Sequence, residues 1–133
     1  MENEILANDL MVGDWVYAKT EKGKKIAKVC WRSDKFAAAE ATDGSEYTGK
    51  QFDGVFSCIE PIPLTPEILE KNGIIKTYED DEYAVYKGEG FNVTEYYTEL
   101  WEFSARRNRI IFKNVHQLQH ALRLAGIEKE IEL

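Results

Sequence analysis

A chain of 133 residues, 44% hydrophobic and 31% charged, has the make-up of a small globular domain, or two very small modules, and not that of a disordered chain. Its 17 Lys and Arg stand against 24 Asp and Glu, a formal net charge of −7. That balance disfavours duplex nucleic acid, which is bound chiefly through phosphate neutralisation. The excess is spread along the chain: eight basic against eleven acidic residues up to Glu60, and nine against thirteen after it.

The chain opens with MENEILANDL, which carries acids where a signal peptide carries Lys or Arg. Residues 1–9 read as a loose arm. No apolar run nears the roughly 20 residues that span a bilayer, so the expected setting is cytoplasmic, with no membrane contact. From Asp9 the pattern is β. LMVGDWVYAK turns at Gly13–Asp14, Thr20 to Lys24 reads as a hairpin loop, and KIAKVCWRS alternates. The alternation puts Ala27, Val29 and Trp31 on one side and Ile26, Lys28 and Cys30 on the other. KFAAAEAT is assigned to a strand although its alanines favour helix, because it lies between short strands without caps. Asp43–Gly44 is the strongest hairpin signal, and SEYT and VFSCIE complete five short strands. Such a series suggests a small barrel, and VGDWV followed by hairpins resembles the opening of SH3-like barrels. Cys30 and Cys58 read as buried, reduced thiols and lie too far apart in sequence for a zinc site.

PIPLTPEILEKNG divides the chain. Pro61 and Pro63 stop the strand, Thr65 can cap a two-turn helix, Pro66 suits its first position, Gly73 can close it, and Ile68 and Leu69 face inward. IIKTYE, YAVYKG, FNVTEYY and TELWEFSA follow as strands, with Glu79 to Glu82 as a solvated turn. Arg106 to Asn108 turns into RIIFK, and a helix runs from Val115 to Ala125. Asn114 and Gln117 can form its capping box and Gly126 can end it. Val115, Leu118, Ala121, Leu122 and Ala125 fall on one stripe, while His116, Gln119, His120 and Arg123 fall opposite. Leu124 lies off the stripe. The tail EKEIEL reads as a short edge strand through Ile131 and Leu133.

Three residue sets carry candidate function. His116 and His120 sit at i and i+4 with Arg123 on the same helix face. They are either ordinary surface groups or a partner-binding surface. The interval lacks the glutamate of a metalloprotease pair, so no metal is expected. Arg106, Arg107 and Arg109 are either a solvated turn balanced by acids such as Glu99 and Glu102 or an anion or nucleic-acid contact. Tyr17, Trp31 and Tyr47 are the groove aromatics if the barrel has a groove for bases or proline-rich peptides. No activated nucleophile, phosphate-cradling glycine loop or cofactor motif is visible.

VHQLQHALRLAGIEKEIEL together with IPLTPEILEKNG resembles a family of small proteins encoded by gut Bacteroidetes and by their prophages or mobile elements. The resemblance covers the second half well and the Gly13–Asp14 region loosely. It implies a bacterial cytoplasmic setting and no established activity, ligand or catalytic residue. The family pattern has a cysteine where this chain has Ala125, so no thiol role carries over there.

The expected fold is α+β: an SH3-like small β-barrel over residues 1–60, then over 61–133 a short helix and an antiparallel sheet packed on one C-terminal helix. The two parts either stand apart or share one core. The leading functional expectation is a non-enzymatic binding module with a protein partner, belonging to a phage or mobile element. A nucleic-acid-binding accessory protein using the Arg106–Arg109 turn and the barrel aromatics is the alternative, and an enzyme is third. No cofactor is expected.

Overall fold

The computed structural model describes residues 9–133, so the arm expected over residues 1–9 lies, apart from Asp9, outside the described residues. The chain divides after Ile62 into two compact units. The described residues are mostly β, with two short helices, and broadly α+β. No helix among the described residues is long and apolar enough to cross a membrane.

The first unit holds β1 (Trp15–Thr20), β2 (Gly23–Arg32), β3 (Phe36–Ala41), β4 (Glu46–Phe52), β5 (Val55–Phe56) and β6 (Ile59–Pro61). They form one sheet in the order β5-β4-β3-β2-β1-β6, every pair antiparallel. The two edge strands follow each other in sequence, so the sheet curls into a nearly closed barrel. Its interior is Val16, Ala18, Ala27, Val29, Ala37, Ala39, Ala41, Phe56 and Ile59, with Leu10. Alanine recurs there because the interior of so small a barrel takes only limited side-chain volume. That is why KFAAAEAT is strand against its helical propensity.

Turn chemistry follows the residues. Asp53 and Gly54, at φ 52° and 80°, form the two-residue β4–β5 hairpin that positive dihedrals favour. Asp43 accepts the Ser45 backbone N–H at 2.9 Å, a side-chain turn of the kind aspartate makes. Gly49 answers a different need: a Cβ there would collide with the carbonyl oxygen of Ser57, so glycine permits the close approach of the chain after β5. Asp14 is buried and its Oδ2 accepts the Met11 N–H at 2.8 Å. Its carbonyl accepts Val29 N–H at 2.9 Å and Gly13 N–H reaches Val29 O at 2.8 Å, which ties the Gly13–Asp14 corner to β2.

Two expectations fail here for one reason each. VFSCIE is not a single strand, because the chain turns at Ser57–Cys58 with Cys58 at φ 61°. Cys58 is therefore exposed, not buried. A bulge between Val29 and Trp31 breaks the alternation of β2. It leaves Cys30 exposed, with Sγ donating to Ala38 O at 3.5 Å, and sets Trp31 opposite Ala38 on the outer face. Partial desolvation, with Glu46 and Glu40 nearby, raises the Cys30 thiol pKa.

The second unit holds α1 (Pro66–Lys71), β7 (Ile75–Glu79), β8 (Tyr83–Gly88), β9 (Phe91–Tyr96), β10 (Leu100–Ala105), β11 (Asn108–Phe112) and α2 (Val115–Leu124). The strands are an antiparallel meander ordered β11-β10-β9-β8-β7. Thr65 Oγ1 accepts Ile68 N–H at 3.3 Å and caps α1, with Pro66 in the first turn and Leu69 buried. Ala84, Tyr86, Phe91, Val93, Trp101, Phe103 and Phe112 make the buried face of the sheet, and Val115, Leu118, Ala121 and Leu122 the buried stripe of α2. Phe91 stacks on Phe103 at 5.6 Å between centroids. The tail after Gly126 forms no strand. One buried side chain, Ile131, and a pair of hydrogen bonds to Asn72 hold it instead.

Candidate functional site

The three arginines sit at the β10–β11 hairpin. Ala105 faces Asn108 across it, and Arg106 takes φ 56°, a left-handed conformation uncommon for a side chain of this size. Arg106, Arg107 and Arg109 are exposed. Among the described residues none of them lies within 4.0 Å of a carboxylate. Glu102 instead accepts the Tyr96 hydroxyl at 3.3 Å, and Arg109 opposes the rise that burial and Glu102 cause in the Tyr96 pKa. Glu99 and Glu102 thus make no ion pair with the turn among the described residues.

The hairpin and the end of α2 enclose a notch of about 480 Å³. Buried Phe103 and Ala121, with Ile110, line its apolar part, and Arg107 and Arg109 line it from the hairpin. Leu124 also lines it and is 79% exposed, so the residue that fell off the helical stripe forms a rim. Among the described residues no acidic side chain lines the notch. Arg106 lines a neighbouring cleft with Asn72, Gly88, Gly90 and the tail residues Ile127 to Lys129.

The helical contact face is only partly where the wheel put it. His120 is half-buried and Arg123 exposed, but His116 is buried. The β-bridge Pro63↔Asn114 and the Leu64 N–H bond to Lys113 O at 3.0 Å lay a further segment beside the first turn. A wheel that assumes one covered side fails there. The His116 and His120 rings meet edge-on at 5.6 Å. Among the described residues no group of three or more His, Cys, Asp and Glu side chains could hold a metal ion.

Tyr17, Trp31 and Tyr47 do not form one groove. Tyr47 packs on the barrel core, whereas Tyr17 and Trp31 lie on the outer face. They are separated there by the β2 stretch from Ile26, opposite Tyr17, to Trp31, roughly 16 Å at the usual strand rise. The outer face carries residues the sequence reading passed over: Lys28 stands over the Trp15 ring at 5.0 Å and Lys24 over Tyr17 at 5.6 Å. Glu60 on β6 is buried and pairs with Lys19 at 2.8 Å and Lys24 at 2.7 Å. Burial pushes its pKa up, and the two lysines outweigh that to leave it lowered. The regular alternation of β1, and of β2 ahead of its bulge, is the signal that marks these outward positions.

Comparison with family models, with curated proteins and with solved structures finds no match to this chain.

Proposed function

We propose that this chain is a non-enzymatic binding module whose protein partner enters the notch between the β10–β11 hairpin and α2. The observation that carries the reading is an apolar lining with two exposed arginines at its edge that form no ion pair among the described residues. A partner segment that places carboxylates beside a leucine- or isoleucine-sized side chain meets both features. Arg forks bind carboxylates in two-point fashion, and an apolar anchor seated against Phe103 and Leu124 gains from leaving water. We read the first unit as SH3-like, and its setting as bacterial cytoplasm during the life of a phage or mobile element, from the sequence resemblances.

A second reading has its own support: three arginines on one hairpin, without an ion pair among the described residues, also suit phosphates. Titration of a fluorescein-labelled synthetic peptide alternating Glu and Leu, and separately of duplex DNA, distinguishes the two. The protein-binding reading expects saturable peptide binding that falls about tenfold in the Arg107→Ala, Arg109→Ala double variant and also falls in Leu124→Ala. Binding of duplex alone, dropping steeply with salt and indifferent to Leu124, replaces it with the nucleic-acid reading.

A further inference from the structure

An antiparallel sheet with one open face ordinarily turns polar side chains toward water. The sheet of the second unit does not. Ala84, Tyr86, Val93, Trp101, Phe103 and Phe112 point inward, so their alternates Tyr83, Val85, Tyr96, Leu100 and Ile111 point outward. Tyr78 joins them through its pairing with Val85, and Tyr96 lies opposite Leu100. The Tyr78, Tyr83 and Tyr96 rings follow one another at 5.4 and 6.0 Å between centroids. An apolar band thus crosses the sheet from β7 to β11, with Ile111 54% and Tyr78 49% exposed.

The charges sort by strand end. The β7–β8 and β9–β10 turns carry Asp80, Asp81, Glu82 and Glu99 at one end, while Lys87, Arg106, Arg107 and Arg109 stand at the other. In the strands and their turns, each end holds one residue of opposite sign, Lys113 and Glu89 respectively. Lys76 and Glu79 neutralise each other at 3.0 Å, and Glu95 is on the inward side opposite Trp101. Glu102, at mid-face, accepts the Tyr96 hydroxyl.

We infer that this face is the contact surface of a two-fold homodimer, sheet upon sheet. A polyanion would meet the carboxylates at one end, and a polycation the arginines at the other. A second copy turned about a two-fold axis lying across the strands meets neither obstacle. Its acidic end lies on the basic end of the first, and the reciprocal contact forms at the same time. The apolar band covers its own counterpart in the middle, as in packed antiparallel sheets. Extent fits as well. Five strands with their turns outline roughly 24 by 25 Å, on the order of 600 Å². Side-chain relief raises the accessible area toward the roughly 800 Å² per partner of a standard interface. The inference does not rest on the notch reading.

The test is sedimentation equilibrium of the whole protein from micromolar to millimolar concentration. A dimer is expected, about tenfold weaker in Lys87→Glu and in the Asp81→Lys, Glu82→Lys variant, because the two-fold axis repeats each repulsion. An equimolar mixture of these two variants recovers association, since both reversed contacts become attractive in the mixed pair. The three positions are exposed, so their reversal leaves the core intact. Ile111→Ser also weakens the dimer, and Leu124→Ala, at the notch, does not. A monomer throughout, association indifferent to these changes, a mixture no better than either variant, or dissociation by Leu124→Ala overturns the inference. A monomer that still binds the alternating Glu–Leu peptide leaves the notch reading standing, and a dimer that binds none removes only that reading.

Discussion

The side-chain amide of Asn72 reads the backbone of Glu132 in both directions: Nδ2 donates to the carbonyl at 2.8 Å and Oδ1 accepts the N–H at 2.7 Å. Nδ2 also donates to Ile68 O at 2.8 Å, so the amide is oriented by the end of α1 before the tail meets it. Buried Ile131 supplies the apolar half of this fastening. Asn72→Ala is expected to cost about 1–2 kcal/mol in urea unfolding and to raise hydrogen exchange at Glu132 selectively. Unaltered exchange at Glu132 would mean that Ile131 holds the tail alone.

The start of α2 is asymmetric in a way that mutation can measure. Asn114 and Gln117 are arranged as a capping box, yet the hydrogen bonds come from one side. Gln117 Oε1 accepts the N–H groups of Lys113 at 3.0 Å and Asn114 at 3.1 Å, and Asn114 makes no side-chain cap bond. Gln117→Ala is therefore expected to destabilise by about 1 kcal/mol, and Asn114→Ala by clearly less, in paired denaturation curves. The reverse order would contradict this account of the cap.

Two carboxylates pull stability in opposite directions with pH. Glu60 is depressed on balance, because Lys19 and Lys24 outweigh its burial. Its contribution is present above the unfolded carboxylate pKa and disappears as pH falls through the lower folded value. Glu95 is raised, by burial first and then by Glu67. Its contribution is present below the unfolded value and disappears as pH rises through the folded one. At pH 7 Glu60→Gln should therefore lose about 1 kcal/mol, since both lysine partners are themselves half-exposed, and Glu95→Gln should gain up to about 1 kcal/mol. Both differences should fade near pH 3. Equal effects at both pH values would show that the substitutions act through packing.

Local chemistry was legible in the residues. Thr65 and Pro66, Asp43–Gly44 and the alternation of Tyr83 to Tyr86 each fix a short stretch through the chain's own geometry, and the structure has the helix, turn and strand they imply. What escaped depends on partners distant in sequence. The bulge that turns Trp31 outward arises from pairing with β3. The burial of His116 accompanies the bridge from Pro63. The notch exists because the β10–β11 hairpin comes back beside the end of α2, so Arg107 and Leu124 line one notch only in the folded chain.

Amide-resolved NMR titration with the alternating Glu–Leu peptide tests the proposed function most directly. The notch predicts saturable shifts concentrated in residues 107–110 and 121–125 and absent from the Arg107→Ala, Arg109→Ala variant. Shifts centred elsewhere, or none at millimolar peptide, would contradict it.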